Sequence, residues 1–314
     1  MSSQARPLLI CVVGPTAIGK TSLGIRLAQK LGAEILSADS RQIHRSMSIG
    51  TAAPTALERE QAPHHFVEFL EPSEVYSAGD FEKDALAFLD TYFKSHPVAI
   101  LVGGSGLYVK GVIKGFDFLP ADLELREKLN SRAELEGVAV LAEELRALDP
   151  VHHAKMDLSN PQRVVRALEV CLCSGKPFSS FHSNEGKSRP FDIVQVGLKA
   201  DREVLSSRIE ERTAKMMETG WLEEVKKLME YKDCNSLRTV GFRELISHLE
   251  GKMSLEKTVE RIVISTRQFA KRQMTWFKKD ESIRWYDFKE ADKAFEETIK
   301  LAEEKIAENS GDVG

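Results

Sequence analysis

The sequence predicts an α/β fold in which helices flank a parallel sheet, with an all-helical domain inserted in the chain. Residues 8–13 and 98–102 are continuously apolar and have the length of buried strands, and residues 193–198 return to strand character. Helical segments alternate with these strands, which is typical of a parallel sheet. Between about residue 115 and residue 190 only helical patterns occur. We therefore predict a discontinuous core of residues 1–115 and 190–314 and a helical insertion of residues 116–189.

The first strand leads into a helix and a second, short strand. Leucines recur at every fourth position from 23 to 31, a helical spacing, and Gly32 supplies a stop signal. Ile35 and Leu36 then form a short apolar pair that ends at Asp39. This order predicts a strand–helix–strand unit with a carboxylate at the carboxyl end of its second strand.

The next unit repeats this order. Ser77 and Asp80 resemble a capping box, and apolar residues over 81–92 continue as an amphipathic helix, closed by His96-Pro97. The strand at residues 98–102 follows and ends in a Gly-Gly-Ser-Gly turn. Ligands of parallel sheets bind beyond the carboxyl ends of the strands, so the glycine turns and Asp39 should share one edge.

The second half of the chain is mostly helical. Asn160-Pro161 is a cap followed by proline at the first helical position. Residues 204–229 and 255–279 also have a helical period. The last 35 residues, from Asp280, carry 11 acidic and 5 basic side chains. We predict that they form a solvated terminal helix or tail.

Composition limits the classes of function. The chain has 314 residues, a net charge of −4 and a pI near 6.1, which excludes a general attraction to phosphate but permits a local basic patch. The apolar runs are far shorter than the roughly 20 residues of a membrane span and too short for a signal-peptide core. The four cysteines include no C-x-x-C pair. We expect a cytoplasmic, monomeric protein with reduced thiols and no membrane contact.

A phosphate-binding loop follows the first strand. Its pattern, G-x-x-x-x-G-K-[ST], lies between a predicted strand and a predicted helix, which makes the match strong. Such a loop turns backbone N–H groups toward phosphate, with Lys20 neutralising charge and the Thr21 hydroxyl reaching Mg²⁺. The fold is therefore predicted to be P-loop NTPase-like, with Mg²⁺ as cofactor. The loop does not distinguish a nucleoside triphosphate from a diphosphate. It consists of Gly14, Pro15, Thr16, Ala17, Ile18, Gly19, Lys20 and Thr21.

Two further segments lie at the same predicted edge. Asp39 could assist a magnesium ion, act as a general base or merely cap the next turn. The loop at residues 103–108 offers the hydroxyl of Ser105 and free N–H groups. Glycine loops after strands are common, so the value of this loop is its convergence with Asp39 and the phosphate loop.

A basic segment precedes the acidic end of the chain. Residues 238–279 carry ten Lys and Arg against four Glu. This asymmetry favours an RNA-facing surface over a merely solvated helix face. Among the aromatic residues interleaved there, we predict Phe269 to be core and leave Trp276 open. The basic side chains on one helical stripe are Arg267, Lys271 and Lys278.

Taken in order, several motifs give a specific resemblance. The strings are GPTAIGKT, ADSRQIH, GTAAPT, PHHF, LVGGSGLY, NPQRVVRALEV, RTVGFRE and TRQFAKRQMTWF. Together they closely resemble the bacterial tRNA dimethylallyltransferases over about residues 8–279. This resemblance implies transfer of a dimethylallyl group from dimethylallyl diphosphate to N6 of the adenosine 3′ of the tRNA anticodon. It also implies that the phosphate loop holds the diphosphate of that donor instead of ATP.

The resemblance assigns roles to individual residues. Asp39 would take the N6 proton, while Ser105, Lys20, Thr21 and Arg212 would contact the diphosphate, directly or through Mg²⁺. The anticodon stem-loop of tRNA would be the macromolecular partner. The residues expected to contact tRNA are Asp39, Ser40, Arg41, Gln42, Ser105, Arg126, Gln162, Arg163, Val164, Val165, Arg166, Arg238, Gly241, Phe242 and Arg243. To these the basic stripe adds Arg267 and Lys271.

Four positions depart from the family pattern. Ser105 stands at the usual threonine, and Ile18 stands where small or hydroxyl residues are usual. His44 and Phe242 replace tyrosines, which removes any hydrogen bond from a phenol at those positions but leaves a ring that could stack.

Two other classes of function remain open on the residues. A small-molecule P-loop kinase would consume ATP, although the helical insertion and the basic terminal helix exceed what a small acceptor requires. A non-catalytic, nucleotide-switched RNA-binding protein would tolerate loss of Asp39.

Overall fold

The computed structural model describes residues 6–117, 119–181 and 187–310. The chain divides into two units, one formed by residues 1–114 and 189–314 and the other by residues 115–188. The predicted insertion, 116–189, differs from the second unit by one residue at each end. Among the helices of the described residues, none has both the length and the apolarity that a membrane span requires.

The first unit begins with strands and helices in alternation. The predicted strands at residues 8–13, 35–36 and 98–102 are confirmed, as is the capping box of Ser77 and Asp80. The helix after the phosphate loop ends at Gly32, which has a φ of 61°. The elements are β1 Leu8–Val13, α1 Lys20–Leu31, β2 Ile35–Ser37, α2 Ser48–Thr51, α3 Ala56–Gln61, β3 His64–His65, α4 Ala78–Tyr92, β4 Val98–Gly103 and α5 Gly106–Lys114.

The second unit contains only helices in its described residues. Asn160 accepts a hydrogen bond from the Arg163 N–H and Pro161 opens the following helix, so the predicted cap is confirmed. Leu129, Leu141 and Leu168 lie in a small apolar core of this unit. Its helices are α6 Leu123–Leu135, α7 Val138–Leu148, α8 Pro150–His153 and α9 Pro161–Ser174.

After the insertion the chain returns to the sheet. The helical pattern predicted over 204–229 is divided in two at Gly220, whose φ is 104°. The elements are β5 Asp192–Lys199, α10 Arg202–Glu218, α11 Trp221–Lys227, α12 Phe242–Leu249, α13 Leu255–Phe277, β6 Ile283–Asp287 and α14 Ala291–Ser310.

The six strands form one sheet in the order β3-β2-β4-β1-β5-β6, and every neighbouring pair is parallel. All residues of β1 and β4 are buried because apolar clusters cover both faces of the sheet. The carboxyl ends of β1, β2 and β4 therefore meet at one edge, which carries the phosphate loop, Asp39 and the second glycine turn.

The prediction for the last 35 residues is only partly correct: α14 is a terminal helix, but the segment also contains a strand, and one face of the helix is buried. Strand β6 pairs with β5, and α14 places Ala294, Thr298 and Ala302 in the core, each fully buried. These three positions are four residues apart, so they share one face of the helix while the acidic side chains occupy the rest. A net charge counted over the segment does not reveal this face.

Candidate active site

The phosphate loop, residues 14–21, connects β1 to α1. Gly14, Ala17 and Gly19 have φ values of 144°, 65° and 105°. At Gly14 a Cβ atom would lie 2.5 Å from the carbonyl oxygen of Leu198 in β5, so only glycine fits. A loop of this kind, ending at a helix N-terminus, directs backbone N–H groups toward an anion.

Helix α10 holds this loop from the side. Arg212 donates a hydrogen bond to Thr16 Oγ1 at 2.7 Å, and Arg208 Nε donates to the carbonyl of Ala17 at 2.8 Å. Lys20 Nζ donates to the carbonyl of Pro15 at 2.8 Å. Arg208 lies outside the motifs, although its position one helical turn before Arg212 is a signal in the sequence that could identify it.

Positive charge in the site is buried without enough carboxylate to balance it. Burial lowers the pKa of Lys20 from 10.5 to about 8; Asp39 partly opposes this shift, and Arg212 adds to it. Burial also lowers the pKa of Arg212 to about 10, again partly opposed by Asp39. An entering anion would restore both groups to their ordinary pKa range, so the site is built for a multiply charged anion.

Asp39 follows β2 in a loop fixed by hydrogen bonds. Its Oδ1 accepts from the Arg41 N–H at 2.9 Å. Gln42 accepts from the hydroxyl of Ser37 and donates to the carbonyls of residues 51 and 52. Ser105 Oγ accepts from the Ser40 N–H at 2.9 Å. The structure thus brings the predicted residues Asp39, Ser40 and Ser105 together at the edge of the sheet.

A cavity of about 790 Å³ joins these parts. It is lined by the phosphate loop from Thr16 onward, by Asp39 and Gln42, and by Arg208 and Arg212. It continues past Gly103 and Gly104 toward α2, α3 and the partly buried ion pair of Arg59 and Glu68. This volume is in the range of pockets that enclose a small organic ligand. An anion on Lys20 and a reacting atom near Asp39 would share one cavity.

Gln273 is a second site residue, after Arg208, that the motifs do not single out. Gln273 of α13 accepts from the Thr16 N–H at 2.8 Å and donates to the carbonyl of Gly104 at 3.0 Å. A signal for it exists in the sequence, since Gln273 lies on the buried stripe of α13 with Thr266, Ala270 and Phe277. A long polar side chain on such a stripe needs buried hydrogen-bond partners.

The predicted tRNA-contacting basic residues of the first unit differ in how far they are exposed to solvent. Arg41 donates to the carbonyl of Asn235, and burial lowers its pKa. The side chains of Arg238, Arg243, Arg267 and Lys271 are at least partly open to solvent. Arg267 is paired with Glu210, and Arg243 lies 3.7 Å from Glu244.

Three positions of this unit contradict the prediction. Phe242 is fully buried in a cluster with Trp221, Leu245 and Ile262, and Gly241 packs against the Trp221 ring. A direct tRNA contact by the Phe242 ring, or by Gly241, is therefore wrong for this conformation. His44 is also buried, with Nδ1 3.2 Å from the carbonyl of Glu71, so its ring is not available for stacking on a base.

In the second unit the predicted residues differ in exposure. Gln162 and Arg163 are exposed, whereas Val164 and Val165 are buried in the core of this unit, so a tRNA contact by those two valine side chains is wrong. Residues 162–165 are consecutive on α9, so their side chains point in different directions around the helix. The motif does not show which of these directions faces the core.

Arg126 and Arg166 converge on one buried carboxylate in the same unit. Each places a guanidinium nitrogen 2.9 Å from Glu169 Oε2, and the Glu169 side chain is fully buried. Burial acts to raise the pKa of Glu169, but hydrogen bonds from the two arginines lower it below its ordinary value. The two arginine side chains keep about a third of their surface exposed, so they are held in place and remain partly accessible.

The two aromatic residues of α13 considered in the sequence, Phe269 and Trp276, have different surroundings. Phe269 is only half-buried, with the Arg272 guanidinium 5.9 Å from its ring centroid, so the prediction of a core residue is only partly correct. Trp276 is 39% exposed and covers Gly106, where a Cβ would lie 2.2 Å from its indole ring. Its ring borders the loop that carries Ser105.

Comparisons with known proteins agree with this geometry. Residues 42–280 match a family model described as IPP transferase. The chain is 46% identical to a tRNA dimethylallyltransferase of Christiangramia forsetii, over 91% of this chain and 95% of that protein. It is 44% identical to tRNA dimethylallyltransferase 1 of Bacteroides thetaiotaomicron, over 89% and 91%.

Solved structures are similar along the whole chain. A tRNA isopentenylpyrophosphate transferase from Bacillus halodurans superposes with a TM-score of 0.72 at 35% identity, covering 97% of this chain and 98% of that one. A eukaryotic dimethylallyltransferase acting on tRNA gives a TM-score of 0.83 at 27% identity, covering 96% and 80%.

Proposed function

The chain belongs to the IPP transferase family, and we propose that it transfers the dimethylallyl group of dimethylallyl diphosphate to N6 of adenosine 37 in tRNA. The products are N6-(dimethylallyl)adenosine and diphosphate. The observation that carries this proposal is the single cavity in which Asp39 faces the same space as Lys20 and Arg212.

The leaving group is held by the phosphate loop. As the allylic carbon–oxygen bond breaks, negative charge grows on the diphosphate, and fixed donors that meet this charge lower the barrier. Lys20, Arg212 and the N–H groups of the loop would be such donors; hydrogen bonds to Pro15 and Thr16 keep the two side chains beside the loop, which supports this role. Each donor of this kind contributes about 2.7–4 kcal/mol to the transition state.

The site is also compatible with a magnesium ion. Mg²⁺ prefers oxygen ligands and is usually held by one or two protein groups together with phosphate oxygens and water. The Thr21 hydroxyl and the Asp39 carboxylate line the same cavity, and we propose Thr21 as the protein ligand. When bound, the ion would neutralise part of the charge on the diphosphate.

Asp39 acts on the nucleophile. The N6 lone pair of adenine is delocalised into the ring, so the nitrogen attacks well only if a base accepts its proton as the new carbon–nitrogen bond forms. One oxygen of Asp39 is fixed by the Arg41 N–H, which leaves the other free to take that proton. The bond to carbon forms, the bond to the diphosphate oxygen breaks, and the N6 proton passes to Asp39.

The adenosine must leave its stack to reach the cavity, which costs a few kcal/mol. We propose that the basic stripe on α13, the exposed Gln162 and Arg163, and the partly exposed Arg126 and Arg166 contact the tRNA backbone and offset this cost. Such binding should weaken steeply as the salt concentration rises. An affinity for tRNA that is equal at 50 and 300 mM salt would contradict this part of the proposal.

The experiment that tests the function uses two labels. The protein is incubated with unmodified tRNA, Mg²⁺ and either dimethylallyl diphosphate labelled in the prenyl group or ATP labelled at the γ-phosphate. We expect the prenyl label alone to reach the RNA. A Lys20→Met variant should lose transfer, whereas Lys30→Met, an exposed lysine on the same helix, should retain it. Phosphate label on the RNA or on a small acceptor would instead indicate a kinase.

A further inference from the structure

The carboxamide of Gln273 lies between the phosphate loop, which is proposed to hold the diphosphate, and the glycine turn at Gly104, which leads to the Asp39 segment. We infer that Gln273 is a positioning residue which sets the distance between the leaving-group loop and the Asp39 segment. This inference rests on the proposed function, because it concerns how the diphosphate and the N6 atom are aligned.

An amide satisfies both neighbours of Gln273 at any pH. The Thr16 N–H needs an acceptor, which is Gln273 Oε1 at 2.8 Å, and the Gly104 carbonyl needs a donor, which is Gln273 Nε2 at 3.0 Å. The side chain is 6% exposed, so water does not replace either partner. At Gly104 a Cβ would lie 2.3 Å from Nε2, which shows how closely the amide approaches that loop.

From Gly104 the connection continues to Asp39. Ser105, the next residue, donates its N–H to the carbonyl of Ala38 at 3.2 Å, and its Oγ accepts from the Ser40 N–H at 2.9 Å. These two bonds hold the peptide groups on both sides of Asp39. A continuous set of hydrogen bonds thus links Thr16 in the phosphate loop with the proposed base.

The other end of the connection is also fixed. The Thr16 hydroxyl accepts from Arg212, so the residue is held at its side chain by α10 and at its N–H by α13. Helix α13 has 23 residues and is buried along one stripe, which makes it a rigid support for Gln273. An alignment error of about 1 Å between reacting groups lowers a rate by about 10²-fold.

The test compares two buried glutamines. Gln273→Met keeps the length of the side chain and removes both hydrogen bonds. Gln195→Met is the matched control, because Gln195 is 7% exposed and also joins two segments of the chain, through Ser282 and Asp280, away from the cavity. Thermal unfolding, the Kd of inorganic diphosphate, the Kd of tRNA and the single-turnover rate of prenyl transfer are measured for each.

We expect both variants to lose similar stability, and only Gln273→Met to lose rate. Its single-turnover rate should fall about 10- to 100-fold with the Kd of tRNA unchanged, whereas Gln195→Met should stay within about twofold of the wild type. Equal rates for Gln273→Met and the wild type, or equal losses in both variants, would refute the role of Gln273. A wild-type protein that transfers no prenyl group would instead refute the proposed function.

A second variant tests the direction of the hydrogen bonds and does not depend on how Gln273→Met folds. Gln273→Glu keeps the acceptor for Thr16 but donates to Gly104 only when the carboxyl is protonated. The ratio of its rate to the wild-type rate should therefore rise as the pH falls from 8 to 5.5. A ratio that is constant over this range would contradict the inference.

Discussion

The protein should take up protons from solvent when it binds the diphosphate, and the pKa of Lys20 determines how many. In the free protein its pKa is about 8, whereas the unburied value is 10.5. A bound diphosphate favours the charged ammonium and returns the pKa toward or above its ordinary value. Lys20 alone should then take up about 0.1 proton at pH 7, about 0.5 at pH 8 and about 0.9 at pH 9.

The sign of the pH dependence follows from the same shift. The protonated lysine binds the anion, so affinity for the diphosphate should fall as the pH rises through about 8. Arg212, with a pKa of about 10, stays charged through most of this range and contributes little to the change.

Isothermal titration calorimetry measures this uptake directly. A non-reactive thiolodiphosphate analogue of the donor is titrated at pH 7, 8 and 9 in buffers of different ionisation enthalpy. Lys20→Met reports the titration of the ligand itself, and Lys30→Met serves as the matched control. Proton uptake that does not change with pH, or that is the same in Lys20→Met as in the wild type, would refute the reasoning.

Three further predictions concern stability. Lys20→Met should increase the free energy of unfolding at pH 7 by about 3 kcal/mol, because a buried ammonium destabilises the folded state. This destabilisation is largest below the folded-state pKa of about 8 and disappears above 10.5, so denaturant unfolding at pH 7 and pH 10 checks the prediction. Phe242→Ala should destabilise the protein by about 3–5 kcal/mol and leave the tRNA affinity of the folded protein unchanged, as measured by unfolding and filter binding. Glu169→Gln should lower the free energy of unfolding by about 3 kcal/mol at pH 7, since two arginines lose their shared carboxylate. This difference from the wild type should shrink as the pH falls below 4.5. A cost independent of pH would contradict that role of Glu169.

The central strands and the phosphate loop were predictable because their signals are local. Strand β1 is an unbroken apolar run, and the loop motif follows it directly. The carboxyl ends of parallel strands share an edge, so the meeting of Asp39 with the phosphate loop also followed from the prediction of a parallel sheet.

Strand β6 and the buried face of α14 were missed because their signals are weak in the sequence. In β6 only Ile283 and Tyr286 are buried, and the covered face of α14 includes Thr298 within a strongly acidic segment. Burial of these residues depends on β5 and α1, which are distant in the chain.

The site residues were predictable where chemistry requires a certain side chain, and not where burial decides. Lys20 and Asp39 belong to motifs whose chemistry requires a charged side chain at those two positions. Phe242, Val164 and Val165 belong to matching strings, but a string does not state which side chains face the core. Gln273 joins segments more than 150 residues apart, so no local pattern reports its partners.

The role of Asp39 is tested most directly by single-turnover prenyl transfer with Asp39→Asn. This variant keeps an oxygen that can accept from the Arg41 N–H, so the loop should retain its shape, but it cannot take the N6 proton. We predict a rate at least about 10²-fold below the wild type at saturating tRNA and donor. Transfer at the wild-type rate by Asp39→Asn would contradict the assignment of Asp39 as the base.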